Sequence, residues 1–389
     1  MTAQSLDDTV QSRFVEFMEW GEPPFNYERK VFESQFERLL RIYDRKITPP
    51  YEVEIQPSSS CNINCVWCVG DQYPRLKNLL NKESMRKVSQ DMIDFVEDGF
   101  GIETVKFSGF VGEPLVNPAT IEGLEVFIEN GKRVGLFTNG ILMDRETTDG
   151  RRYLDTICEA SFLHVSLDAS SETTMQHLKC YQADFERIIT NLEQAIAMRE
   201  QRRTKLEIGV GYIITPDNFD EIYSIATRLK EMGVDFIRFK VDITGRYLLG
   251  DTAERAIEEV AKAKELIDAS FNVVSVHTGE ESQSCEIYDI HRMGKIKCYT
   301  TQLWGTVGSD GQLYACDHRT HKNGRPYGDL KTNTFRDIWT ARQNSLPYEY
   351  CNMCSPFGTR INRFLNFLFQ LEREQIVGLH DSYFQGEKR

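Results

Sequence analysis

The stretch Tyr51-Glu-Val-Glu-Ile-Gln-Pro-Ser-Ser-Ser-Cys61-Asn-Ile-Asn-Cys65-Val-Trp67-Cys68-Val-Gly70 decides the fold. It reads as a β-rich run feeding a loop with three cysteines spaced C-x3-C-x2-C. Three thiolates can hold three irons of a cubane cluster. A structural zinc or an ordinary cubane asks for a fourth protein sulfur close by, and the next cysteine is Cys158, beyond two more strand-like runs. The spacing leaves one iron open for a small molecule.

Outward from that loop, short β-rich runs at 51–56, 103–108, 133–138, 162–167, 206–214 and 235–241 alternate with helical stretches. Such alternation predicts βαβ units and a parallel sheet. Ligands of such sheets lie beyond the carboxyl ends of the strands, so the residues at the end of each run are the candidates for contact. The second run leads into Ser108-Gly-Phe-Val-Gly112-Glu113-Pro114-Leu115, the third ends Thr138-Asn139-Gly140, and the fourth ends Ser166-Leu-Asp168. Asn139-Gly140 also suits a plain turn and Asp168 an N-cap. The fifth run holds Gly209 and Gly211, which mark a bulge or a tight packing contact if they have no ligand role. In the sixth, Arg238 and Lys240 share one face under period two; facing a barrel interior they suggest an anionic or polyhydroxylated substrate, and otherwise a salt-bridged strand end.

The cysteine loop closely resembles that of the radical S-adenosylmethionine (SAM) enzymes. That resemblance implies an open partial (β/α)6 barrel and a [4Fe–4S] cluster on Cys61, Cys65 and Cys68, its fourth iron chelated by the methionine part of the cofactor. It also implies reductive cleavage to a 5′-deoxyadenosyl radical and hydrogen-atom removal from unactivated carbon. Trp67 matches the aromatic set against adenine. Gly112 and Glu113 match the Gly-Glu-Pro motif that receives the cofactor's ammonium. Thr138, Ser166, Gly209 and Gly211 match cofactor-facing positions. Lys179-Cys180 stands where relatives often carry Arg-Gly, with Lys179 as a less rigid charge for the cofactor carboxylate. A zinc knuckle is the alternative for the loop.

A second cysteine group lies further along the chain. Cys298 leads into a β-patterned run, a Ser309-Asp310-Gly311 turn, a second run and Cys316, then a Cys351-Asn-Met-Cys354 pair. Asp-Gly at the tip signals a hairpin. The arrangement resembles the auxiliary-cluster domain of SPASM and twitch radical enzymes. With no cysteine after Cys354, the shorter twitch type is implied, with a second [4Fe–4S] cluster on Cys298, Cys316, Cys351 and Cys354 that carries an electron. A zinc ribbon fits the spacing equally. Of the remaining cysteines, Cys285 and then Cys180 are candidate hydrogen-atom donors, because relatives that epimerise carbon quench the substrate radical with a thiol. Cys158 reads as a buried inert thiol.

The expected layout is an α/β chain: 1–50 a helical extension, 51–275 the barrel, 276–355 a small β-hairpin/helix auxiliary domain, 356–389 a closing helix. Residues 8–46 are read as an amphipathic helix ending before Thr48-Pro49-Pro50, 251–270 as another, and 359–380 as the closing one. The balance of 46 basic and 59 acidic residues, −13 net, argues against nucleic acid. No apolar run reaches membrane length and no signal peptide is read at the N-terminus, so a cytoplasmic enzyme is expected. Its partners would be a small-molecule substrate and an electron donor such as flavodoxin or ferredoxin. Layout resembling aminocyclitol dehydrogenases suggests oxidation of an alcohol to a ketone. Epimerisation, modification of a ribosomal peptide, and a non-catalytic iron–sulfur carrier are the other readings.

Overall fold

The computed structural model describes residues 8–19, 26–71, 75–180, 184–242, 247–276, 297–342, 348–349 and 356–385. Cys285, Cys351 and Cys354 therefore lie outside the described residues. The six expected strands are present as β1 (Glu52–Ile55), β2 (Thr104–Phe107), β3 (Arg133–Thr138), β4 (Phe162–Ser166), β5 (Glu207–Ile214) and β6 (Phe236–Val241). Each pairs in parallel with the next. A further strand, β7 (Asn272–Val276), pairs in parallel with β6. Its run is only five residues long and comes soon after a helix, so period-two patterning had little to act on.

After β8 (Lys297–Cys298) comes the hairpin of β9 (Trp304–Val307) and β10 (Gln312–Tyr314), then β11 (Gly328–Asp329). Gly311 turns the hairpin with φ +78°, a conformation open to glycine at no steric cost. The hairpin does not make a sheet of its own. β9 pairs in parallel with β1, and one sheet runs β11-β10-β9-β1-β2-β3-β4-β5-β6-β7. A separate two-stranded ribbon joins β8 to β12 (Tyr348–Glu349).

Among the helices, α1 (Asp8–Glu19), α2 (Tyr27–Ser34) and α3 (Phe36–Tyr43) precede the barrel. The single N-terminal helix expected from residues 8–46 is thus at least three. Asn26 caps α2 by accepting from the Arg29 amide, and Gln35 at φ −117° interrupts the path into α3. Packing periodicity alone did not register these breaks, because buried positions continue on both sides of them. Between strands lie α4 (Lys82–Asp94), α5 (Ala119–Glu129), α6 (Tyr153–Ile157), α7 (Glu172–Lys179), α8 (Phe185–Arg202), α9 (Ile222–Met232) and α10 (Ala253–Lys264). α11 (Phe335–Ala341) comes after the hairpin, and the single closing helix is in fact two, α12 (Pro356–Leu368) and α13 (Arg373–Gln385).

Successive strand residues face opposite sides of the sheet. Val53, Phe107, Leu136, Val165, Val210 and Phe239 pack into one apolar core that also takes in Leu313, Phe335 and Trp339 beyond the barrel. The Phe107 ring lies against Gly123 of α5, where a Cβ would come within 2.6 Å of it. A second apolar cluster joins Phe14, Phe32 and Leu39 to Phe364, Leu365 and Leu379. The N-terminal and C-terminal helices are therefore one packed layer, and Tyr27 from it hydrogen-bonds Arg238 on β6.

Candidate active site

The cysteine loop leaves the carboxyl end of β1 and is pinned from several sides. In its lead-in, the Ser59 amide donates to Asn78 Oδ1 at 2.8 Å, and the Ser59 carbonyl accepts from Arg75 at 2.6 Å. The Val66 amide donates to the carbonyl of Leu178 at the end of α7. Cys61, Cys65 and Cys68 are each of intermediate exposure. Burial pushes the Cys61 thiol up and the Cys65 thiol up to about 12, with the neighbouring sulfurs adding to both. Burial makes the thiolates of Cys61 and Cys65 costly, a cost that a bound positive centre would offset. Cys61 Sγ accepts from Asn139 Nδ2 at 3.8 Å and Cys68 Sγ from the Gly70 amide at 3.3 Å, the kind of weak donation that stabilises ligating thiolates. No three His, Cys, Asp or Glu side chains among the described residues are gathered at a single point for a metal ion. Three cysteines on one loop are a donor set of the chemistry that holds an iron–sulfur cluster.

The Gly-Glu-Pro loop packs directly on the cysteine loop. The Glu113 amide donates to the Ser60 carbonyl at 2.9 Å, and a Cβ on Gly112 would stand 2.1 Å from the Ser58 carbonyl oxygen. Only glycine permits that approach. Glu113 is 2% exposed. Its carboxylate accepts from the Leu115 amide, the Thr138 hydroxyl (2.7 Å) and the Asn139 amide (2.7 Å). Burial raises its pKa while these three donors oppose the rise. Glu113 and Thr138 thus bind each other and clamp the end of β3 to the cysteine loop. Asn139, read from sequence as a turn residue, is the group that reaches Cys61.

At the end of β4, Ser166 is half-buried and its carbonyl accepts from Lys179 Nζ at 2.5 Å. Lys179 is 1% exposed and pairs with Asp168 Oδ2 at 2.7 Å. Burial works against its charge, yet Asp168 and the sulfur of Cys65 hold its pKa above the ordinary value. Asp168 is not an N-cap: at φ +60° it accepts from the Ile213 amide, and Ser171 caps α7 instead. Cys180 ends α7 at φ 64°, ψ 168°, with Sγ 3.3 Å from the Asn64 carbonyl inside the cysteine loop. Trp67, 7% exposed, meets Tyr247 edge-on at 6.3 Å.

Gly209 and Gly211 leave room for neighbouring rings. A Cβ on Gly209 would strike the Phe236 ring at 2.1 Å and one on Gly211 the His164 ring at 2.5 Å. These rings belong to the concave face, where Glu54, Lys106, Phe137, His164, Arg238 and Lys240 stand on adjacent strands by register. Lys106 pairs with Glu54 at 2.5 Å and lies over Phe137, whose ring stacks on His164 at 4.7 Å. The polar lining of this face, His164 included, was missed by sequence reading apart from Arg238 and Lys240. Its signal was a charged or polar residue at alternate positions of otherwise apolar strands.

In the second cysteine group, β8 and β12 pair Cys298 with Tyr348, three residues before Cys351. Cys298 Sγ lies 3.3 Å from the Thr300 hydroxyl and 3.6 Å from Asn362 Nδ2. Cys316 comes just after β10, and His318 two residues on packs against Phe110 of the Gly-Glu-Pro loop at 4.8 Å. Cys158 is fully buried, its pKa pushed up to about 11 by that burial.

These features define a class, open parallel barrels with a three-cysteine loop after the first strand and a carboxylate clamp after the second. Residues 55–226 match the family model of the Radical SAM superfamily. The dTDP-4-amino-4,6-dideoxy-D-glucose ammonia-lyase of Streptomyces venezuelae is 23% identical over 58% of this chain, and the chain spans 46% of that lyase's length. The tungsten-containing aldehyde ferredoxin oxidoreductase cofactor-modifying protein of Pyrococcus furiosus is 20% identical over 77% of this chain and 86% of its own. The crystal structure of Streptococcus suis SuiB bound to S-adenosylmethionine superposes with a TM-score of 0.57 at 15% identity, covering 82% of this chain and 72% of that one, a likeness of fold. No described helix is long and apolar enough to cross a membrane.

Proposed function

We propose that the chain is a radical SAM oxidoreductase of a small polyhydroxylated molecule, of sugar or aminocyclitol type, converting an alcohol to a ketone. The observation that carries the reading is the joining of the cysteine loop to the ends of β2 and β3 through Gly112, Glu113 and Asn139. That geometry suits Cys61, Cys65 and Cys68 for a [4Fe–4S] cluster with an open iron for SAM. Bound there, the pair supplies a 5′-deoxyadenosyl radical. The chain's own contribution is to orient the loop, exclude water through buried Trp67, and keep the Asp168–Lys179 pair beside the sulfurs. The Streptomyces venezuelae relative is named as a lyase of an amino sugar nucleotide, which favours a carbohydrate substrate. The pairing of Cys298 opposite the lead-in to Cys351 favours a second cluster on Cys298, Cys316, Cys351 and Cys354, which would accept the electron left after hydrogen-atom and proton loss. Flavodoxin or ferredoxin would deliver the first electron, in the cytoplasm.

Iron content with electron paramagnetic resonance tests this reading on anaerobically reconstituted protein. About eight irons per chain are expected for two cubanes, falling to about four in a Cys61→Ala/Cys65→Ala/Cys68→Ala variant that no longer cleaves SAM. Zinc in place of the second cluster, or a product of unchanged oxidation level, overturns the dehydrogenase. In that event the Cys180 thiol, held against the cysteine loop through Asn64, favours an epimerase; solvent deuterium in the product, lost in Cys180→Ala, is its sign.

A further inference from the structure

The concave face of the barrel is electrically lopsided. On its β1–β2 side two carboxylates, Glu52 and Glu54, share one cation, Lys106. Across the barrel the strands β4, β5 and β6 present His164, Arg238 and Lys240 and no carboxylate side chain above Glu207, which lies at the far, amino end of β5. Gly209 and Gly211 put no side chain between His164 and β6, so the imidazole leans over Gly211, the residue in register with Arg238. His164 is 4% exposed, and neither ring nitrogen has a hydrogen-bond partner. Burial and the cations Arg238, Lys240 and Lys106 keep it neutral, so it offers one N–H. Arg238 is held by the phenol of Tyr27. Lys240, one step from the carboxyl end of β6, has neither a hydrogen bond nor an ion pair among the described residues. Of the groups within its electrostatic reach, Arg238, Lys179 and Lys106 repel it, and Asp168 is already committed to Lys179. A half-buried ammonium without a counter-charge is costly to keep unless something arrives to neutralise it.

We propose that Lys240, with His164 and Arg238, forms an oxyanion subsite that receives a carboxylate or phosphate ester of the substrate and so orients the molecule beneath the cysteine loop. The subsite narrows the substrate from a polyhydroxylated molecule to an acidic or phosphorylated one, and rests on the barrel interior being the substrate chamber of the enzyme proposed above. Its position near the carboxyl end of β6 leaves the rest of the substrate to extend toward the ends of β1 and β4.

The test uses the reconstituted full chain with inorganic sulfate, acetate and glycerol as probes. Lysine acylation by acetic anhydride, read by mass spectrometry at Lys240, and calorimetry are run together. Protection of Lys240 by sulfate or acetate but not glycerol is expected, with affinity for the protecting anion about tenfold weaker or worse in Lys240→Met and largely retained in Lys240→Arg. Stronger protection by sulfate assigns a phosphate ester, and by acetate a carboxylate. Glycerol protecting as well as the anions, no protection by either anion, or unchanged affinity in Lys240→Met overturns the subsite. Labelling of the unmodified protein stands without the variants should Lys240→Met fold poorly. Failure of the wild type to cleave SAM overturns the functional reading instead, and leaves the anion result unaffected.

Discussion

Lys179 Nζ stands 2.7 Å from Asp168 Oδ2, with 1% and 4% of the two side chains exposed, at the mouth of the barrel beside Cys65. Asp168 lies just after β4, and Lys179 is the last residue of α7. Their pairing ties the end of β4, through the Ser166 carbonyl, to the helix that supports the cysteine loop.

Removing one partner leaves the other charge buried and alone, so Lys179→Met should cost about 3–5 kcal/mol of unfolding free energy. Asp168→Asn/Lys179→Met should recover part of that loss. Urea unfolding of the four proteins in a double-mutant cycle measures the coupling; a coupling near zero would show that the pair is structurally idle.

Cys180 occupies a backbone region at φ 64°, ψ 168° that is otherwise glycine territory. Strain of this kind is worth about 1–3 kcal/mol. Cys180→Gly relieves it at the loss of one weak sulfur contact to Asn64, and should raise the melting temperature. Cys180→Ala keeps the strain and should not.

Gly112→Ala drives a methyl group into the Ser58 carbonyl, where backbone rather than a flexible side chain must yield. The expected result is separation of the Gly-Glu-Pro and cysteine loops. Iron bound per chain after reconstitution should drop with Gly112→Ala while the circular dichroism of the barrel stays native-like.

Lys240 has a pKa lowered to about 7, chiefly by burial and then by Arg238. The unfolded chain binds more protons than the folded one between that value and the ordinary lysine value, so this residue's penalty is complete below pH about 7 and fades as pH rises toward 10. Lys240→Met should therefore be more stable than wild type at pH 6, with the gap closing by pH 10. Chemical denaturation at several pH values, in chloride buffers free of oxyanions, measures it. A constant difference across that range would assign Lys240 an ordinary exposed charge.

Much of the architecture was legible because it is written in local patterns. Apolar runs separated by helical periodicity marked β1 to β6, and the Asp310-Gly311 tip marked the β9–β10 hairpin. The N-terminal and C-terminal helices were read as one each where the chain has several, since Gln35 and the turn after Leu368 interrupt the path without interrupting the apolar pattern. At the site, Glu113 and Lys179 were singled out as contacts of a cofactor, and the structure adds their partners within the protein: Thr138, Leu115 and Asn139 for Glu113, and Asp168 for Lys179. No local pattern specifies such partners, which lie 2–26 residues away in the first case and 11 in the second.

By itself the sequence determined the cysteine spacing, the alternation that makes a parallel sheet, and the glycines at which two loops or a ring and a strand can meet, because covalent order and backbone freedom are local properties. Only the tertiary structure decided that the hairpin continues the barrel's sheet through β1, that Asn139 reaches Cys61, and that Lys240 faces the interior without a carboxylate while Lys106 has one. Those are matters of register and distance between strands far apart in the chain, and charges are paired or left unpaired by where neighbouring strands set them.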